Sequence, residues 1–291
     1  MISELSAILV PIFVTVAIGF GWERTGVDFP TEFVTRSTVY VLTPCLIFST
    51  MTGLEISLAA YGHVAAATLS VLATVAAVAI IGLKLRGLSL RAFLPPVLIP
   101  NAGNLGLPLC LFAFGETGLA LAIVGYTMYA LFQYTVCQLI AAGHASFKIV
   151  VRQPIIYSAI LSAVFLGTGT KPPEWALNTT GLIGGAAIPL NILALGVALA
   201  RLNITSLKNS VYVSMLRLGT GFTSAFVVTG LLDLDPVTRG VVILQSSGPA
   251  ALFSYLWAQL YNNSAEQVAG VIMISTLMSL ATLPLLLLVV L

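Results

Sequence analysis

Between Leu94 and Pro108 the chain reads Leu-Pro-Pro-Val-Leu-Ile-Pro-Asn-Ala-Gly-Asn-Leu-Gly-Leu-Pro, which sets two amides, Asn101 and Asn104, among prolines and glycines in an apolar stretch. Proline removes a backbone donor and clashes one turn back, and glycine permits unwinding, so a helix here should break near the bilayer middle. Broken backbone at that depth is tolerated only where protein buries it or a cavity adjoins it. The break exposes half-helix ends: N–H groups with partial positive charge favour an anion, and free carbonyls favour a cation. With the two amides added, the chemistry expected is binding of a small polar or anionic solute.

A second interruption of this kind is Gln245-Ser246-Ser247-Gly248-Pro249. Two interrupted helices at corresponding places in two halves of a chain point to a transporter's site. The substrate-binding candidates are therefore Asn101, Asn104, Gln245, Ser246 and Ser247, with Pro100, Gly103, Gly248 and Pro249 shaping the interruptions. Asn191, two residues after Pro189, joins them because it repeats the pairing of amide and proline. Tyr40, Tyr126, Tyr129 and Tyr134 could line a path, but aromatics in membrane helices more often pack or mark the interface.

Arg217 is the one basic residue well inside an apolar span, nine residues beyond Lys208 and so about 13 Å deeper. A buried arginine faces a partner or a cavity. It either neutralises an anionic substrate or ties helices together through backbone carbonyls, and the second reading is favoured. No acidic residue falls near the middle of a span: Glu116, Asp233 and Asp235 sit in loop-like surroundings. Coupling through a membrane carboxylate is thus disfavoured, although backbone and amide oxygens can bind sodium; coupling to sodium or to protons stays open. No other cofactor is called for.

Catalytic and metal chemistry find little material. Cys45, Cys110 and Cys137 are scattered through apolar segments, and His63 and His144 have no ligand-like spacing. The Gly-x-Ser-x-Gly elbow, the His-Glu-x-x-His helix and the phosphate-binding Gly-x4-Gly-Lys-Ser/Thr loop are all missing. An enzyme is not expected, nor is a metal site.

The elements that must position these residues follow from composition. Of 291 residues 58% are hydrophobic and only 8% charged, with a mean hydropathy of +1.05, whereas a soluble domain is about 25% charged. The chain is an integral membrane protein. A net charge of +2 without basic runs excludes nucleic acid as a partner. Apolar runs are continuous rather than alternating, which predicts helices, placed at 3–22, 32–51, 59–83, 90–113, 118–142, 154–169, 181–200, 208–231, 236–261 and 267–290. The sixth is short and is expected to extend at one end. The segment from Met1 to Thr25 has Glu4 in place of a basic leader and no small-residue cleavage site, so it is expected to be a retained first helix.

Loop charge orients the chain. Arg24, Arg36, Lys84, Arg86, Arg91, Lys148, Arg152, Arg201 and Lys208 fall on one side, and Lys171 and Arg239 on the other. This nine-to-two excess places both termini on the extracytoplasmic side of a cell membrane. The segment from Pro11 to Gly26 aligns with that from Pro154 to Gly169, sharing a Pro-Ile start and a Thr-Gly end, and Pro44 aligns with Pro189. Five spans per copy is an odd number, so the second copy enters from the opposite side. The expected fold is all-α, ten membrane helices in two inverted repeats, 1–142 and 154–291, joined by a cytoplasmic linker at 143–153.

At these residues the chain resembles the auxin efflux carrier family, which includes the plant PIN-formed carriers and shorter prokaryotic permeases. Pro100-Asn101 followed by Gly106 and Pro108 matches the family pattern, and Pro44-Cys45-Leu46-Ile47-Phe48 is similar to its Pro-Cys-Leu-x-Phe stretch. Arg217-Leu-Gly-Thr220-Gly221, Gln245 ahead of Pro249, and Ser275 to Ser279 followed by Leu283-Pro284 extend the likeness toward the end of the chain.

The resemblance implies that spans four and nine cross at Pro100 and Pro249, with substrate beside them. It also implies an elevator motion of spans three to five and eight to ten against spans one, two, six and seven, and a scaffold role for Arg217. Family members carry indole-acetate or dicarboxylates. Two departures stand out: Ala250 replaces a polar residue after the ninth-span proline, and the long cytoplasmic loop of plant members is absent.

The expected function is secondary transport of a small organic anion. The alternatives are a sodium-coupled symporter of the bile-acid type and a non-transporting sensor or membrane enzyme. Expected partners are the organic anion, membrane lipid and, as one admissible assembly, a second copy of the chain in a homodimer.

Overall fold

The fold is that of a computed structural model, which describes residues 2–53, 57–143, 151, 153–201 and 207–291. Most of the expected linker at 143–153 lies outside the described residues, as do His144, Lys148 and Arg152.

Helix α1 (Ile2–Arg24) is followed by α2 (Thr31–Ser37), a wide π-helical turn (Thr38–Leu42) and α3 (Thr43–Gly53), which run on as one rod. Then come α4 (Leu58–Leu85), α5 (Leu90–Leu98), a second wide turn (Ala102–Gly106) and α6 (Leu107–Phe132). A third wide turn (Gln133–Cys137) leads into α7 (Gln138–Ala142). The second half holds α8 (Pro154–Thr168), α9 (Glu174–Gly185), α10 (Ala187–Arg201), α11 (Leu207–Leu231), α12 (Pro236–Ser246), α13 (Phe253–Leu260) and α14 (Ala265–Val290).

Among the described residues six stretches are long and apolar enough to cross a membrane: Ser6–Arg24, Ala59–Leu85, Ala102–Ala142, Glu174–Arg201, Leu207–Leu231 and Ala265–Val290. The protein is a multi-pass, all-helical membrane protein. The difference from ten expected spans has local causes. Spans four and nine are cut at their prolines, the second is divided by a wide turn, and the sixth has only 15 residues. The expected extension of the sixth is not seen at its C-terminal end, where Gly169 turns left-handed with φ 65°.

Gly115, at φ 66° and ψ −159°, interrupts the long Ala102–Ala142 stretch between the expected spans four and five. The seventh starts at Glu174 rather than at 181. Thr180 bonds back to the Ala176 carbonyl at 2.7 Å, which satisfies its hydroxyl inside this earlier stretch of helix.

Packing sorts the helices into two groups. In one, α1 lies along α10, and α3 lies against α8 and α9. In the other, α11 packs on α14 and α4, and α12 packs on α6. The α1–α10 contact is made by glycine: a Cβ on Gly19 would sit 2.1 Å from the Leu193 carbonyl oxygen, and one on Gly196 would sit 2.1 Å from that of Val16. Small residues let membrane helices approach this closely. Farther along the same contact Glu23 meets Arg201 at 2.7 Å, so α1 and α10 run parallel.

Candidate substrate site at the helix crossing

α5 ends at Leu98 because Ile99 is extended and Pro100 cannot continue the helical ladder. α12 ends at Ser246, four residues before Ala250. The two extended pieces pair antiparallel through Pro100 and Ala250. The Asn101 N–H donates to the Pro249 carbonyl at 2.7 Å, and the Ala251 N–H donates to the Ile99 carbonyl at 3.0 Å. Two backbone bonds thus satisfy groups that the breaks would otherwise leave bare inside the membrane. Ala250 is fully buried, and its N–H donates to Ser275 Oγ of α14 at 3.1 Å.

Four half-helix ends meet here, and they face different chemistry. The C-terminal ends of α5 and α12 are held by Arg217 of α11, which is 1% exposed. Its Nη1 donates to the Val97 carbonyl at 2.8 Å and its Nε to that of Gly248 at 3.2 Å, while Nη2 donates to the Ser246 carbonyl. Gly221, one turn along, lets α11 lie flush against this cluster, since a Cβ there would meet the Ser246 oxygen at 2.2 Å.

The N-terminal ends lie beside a cavity of about 60 Å³. Ala102, Gly103 and Asn104 line it from one broken helix, and Leu252 and Phe253 from the other. Asn101 and Asn191 line it too, so three of the sequence candidates meet around one space. Asn101 Oδ1 accepts the Asn104 N–H at 3.3 Å and caps the turn that restarts the helix, which leaves its Nδ2 buried and unpartnered.

Two residues that the sequence reading passed over share this state: Gln133 Nε2 and Thr38 Oγ1 are buried without a hydrogen-bond partner, and both residues line the cavity. All three wide turns border it, at Thr38–Val39, Ala102–Asn104 and Gln133–Tyr134. Such turns recur at functional sites. The available signal for Gln133 was an uncharged amide within the fifth apolar span.

Tyr126, Tyr129 and Tyr134 line the cavity, whereas Tyr40 is 55% exposed and does not. The structure does not bring Gln245, Ser246 or Ser247 to this space. Gln245 donates to the Ala122 carbonyl of α6 at 2.8 Å, and a Cβ on Gly125 would strike its Oε1 at 2.3 Å. Ser246 Oγ shares a 2.7 Å hydrogen bond with the Tyr129 hydroxyl. Ser247, its Oγ unpartnered, borders a separate apolar space between α11 and α14. Gln245 and Ser246 therefore join α12 to α6.

Among the described residues no group of His, Cys, Asp and Glu is arranged to hold a metal ion. The cavity lining carries amides, hydroxyls and aromatic rings and no charged side chain.

Comparison with known proteins agrees with this architecture. Residues 145–287 match the family described as membrane transport protein, a family of transporters rather than enzymes. An uncharacterized transporter of Methanocaldococcus jannaschii is 27% identical over 216 residues, covering 69% of this chain and 69% of that protein. An uncharacterized transporter of Methanothermobacter thermautotrophicus is 30% identical over 194 residues, covering 64% of this chain and 63% of that protein. The chain is thus similar over residues 145–287 to a family of membrane transport proteins, and over about two thirds of its length to two archaeal transporters.

Proposed function

We propose that the protein is a secondary transporter of a small organic anion, bound by its carboxylate in the cavity beside the crossing. The observation that carries this reading is the set of buried, unpartnered polar groups, Asn101 Nδ2, Gln133 Nε2 and Thr38 Oγ1, around one uncharged space. Unpaired buried donors cost about 1–3 kcal/mol each, and a ligand carboxylate would accept from them. Each helix N-terminus acts as roughly half a positive charge, so two such ends suit one negative charge better than two. A monocarboxylate is accordingly the favoured substrate over a dicarboxylate, with the tyrosines offering their faces to an apolar or aromatic body.

The cavity of about 60 Å³ holds a few water-sized spheres, which suits a carboxylate group in a closed state. Admission of a whole acid would then need the walls to part. The walls belong to both packing groups: Thr38 and Asn191 come from one, and Asn101, Gln133 and Phe253 from the other. Movement of α4 to α7 and α11 to α14 against α1 to α3 and α8 to α10 would open it, which is an elevator-type alternating access.

Ten spans in two inverted repeats suit this motion, with α5–α6 and α12–α13 as the corresponding broken helices. In that arrangement both termini lie outside the cytoplasm, and the parallel run of α1 and α10 agrees with spans one and seven crossing in the same direction.

The test is a thermal-shift screen of mono- and dicarboxylates followed by uptake in liposomes. For an acid so identified, Asn101→Ala should weaken binding about 10- to 100-fold, the loss of one hydrogen bond to a charged group. Unchanged affinity would remove the site from this cavity, and absence of flux for every acid that binds would remove the transport reading.

A further inference from the structure

Arg217 presents a guanidinium to three main-chain carbonyls, Val97, Ser246 and Gly248, that belong to the C-terminal ends of two different helices. It is fully buried in α11. All three of these bonds go to backbone oxygen, and no carboxylate lies near the middle of any span to serve as its counter-ion. The counter-charge comes from the helices themselves. A helix C-terminus carries roughly half a negative charge, so α5 and α12 together supply about one, which one guanidinium balances.

Converging carbonyls at a helix break are otherwise the kind of site at which transporters coordinate a sodium ion or another cation. Here the donors fill that place: Nη1 on one helix end, Nη2 and Nε on the other. Four further carbonyls of the break are also engaged: Pro95 accepts from Ile99, Ile99 from Ala251, Gln245 from Gly248 and Pro249 from Asn101. Gly221 has no side chain because the carbonyl cluster and Arg217 Nη2 occupy the space a Cβ would take.

We propose that Arg217 is a resident cation for the crossing, covalently tethered where a coupling ion would otherwise bind. The substrate site then works with no alkali ion beneath it, and the two helix ends stay neutralised through the whole transport cycle. The inference rests on the geometry of the crossing and is independent of what the opposite face binds.

The test needs no substrate. Thermal unfolding of the purified protein is measured in sodium, potassium and choline chloride at one ionic strength. The unmodified protein should unfold within about 1 °C in all three salts, because a ligand that binds only the folded state would raise the midpoint.

Arg217→Ala leaves the carbonyls without a cation and should unfold at least about 5 °C lower. Millimolar methylguanidinium should return at least half of that loss, and sodium or potassium should stabilise the variant where choline does not. Arg217→Lys, which keeps the charge without the planar fork, should fall between the two. A sodium-specific rise of several degrees in the unmodified protein overturns the proposal. So does an Arg217→Ala protein that responds to none of these cations. If Arg217→Ala does not fold, the salt series on the unmodified protein and the stability of Arg217→Lys relative to Arg217→Gln decide, with equal stability of those two variants counting against the proposal.

Discussion

Gln133 holds a buried amide nitrogen with no partner, in a wide turn beside the cavity. Such a group lowers the stability of the empty protein and raises its affinity for an acceptor. Gln133→Leu should therefore raise the unfolding temperature of the substrate-free protein by about 2–4 °C, corresponding to about 1 kcal/mol, and weaken anion binding about tenfold; both are read by thermal unfolding with and without the acid. Asn101, Asn104 and Asn191 were legible in the sequence because each amide stands near a proline that disrupts the helix around it. Gln133 and Thr38 were not, since no proline or glycine lies within their wide turns and hydropathy alone does not say which face an amide takes. The contact that Ser246 makes was hidden for a related reason. Its partner, Tyr129, is 117 residues away in sequence, and only the packing of α12 on α6 brings them together.

At the scale of elements, hydropathy located the apolar helices to within a few residues, the start of the seventh excepted, because burial in lipid demands long uninterrupted runs. Interruptions were harder to place. The break at Pro100 was plain, whereas Gly115 and the wide turns follow from tertiary packing that no local rule records. Close helix approach was likewise invisible, since glycines that touch a neighbour look like glycines that touch nothing. The α1–α10 contact separates the two kinds. Gly196→Ala would drive a methyl group into the Val16 carbonyl and should cost about 1–3 kcal/mol. Gly181→Ala in α9, where nothing lies within 4 Å, should leave stability unchanged or raise it by up to about 1 kcal/mol. Thermal unfolding of the two variants side by side checks this contrast.

Across the whole molecule, two helix groups meet at the cavity, and loop charge supplies a direction for the chain in the membrane. Cysteine labelling tests that direction, because Cys110 and Cys137 are buried and contribute little background. With Cys45 replaced by Ser, a membrane-impermeant maleimide should label Thr170→Cys on intact cells and should label Leu85→Cys only after the membrane is opened. The reverse pattern would invert the proposed topology. Sequence made the membrane class and the orientation argument available, since both are sums over many residues. The division into two packing groups was available only through the family resemblance, because it depends on contacts between distant helices.

The backbone pairing of Asn101 with Pro249 and of Ala251 with Ile99 has a consequence for dynamics. Amides in a broken stretch of helix ordinarily exchange with solvent quickly, because local opening there disturbs few neighbours. These two amides are instead shared between the halves of the chain, so releasing either requires the two broken helices to separate. In deuterium exchange followed by mass spectrometry, peptides covering 99–103 and 249–253 should be as slow as the middle of α11. The two broken helices would then travel as one block, and the moving part of the machine would be welded at the point where its secondary structure looks weakest.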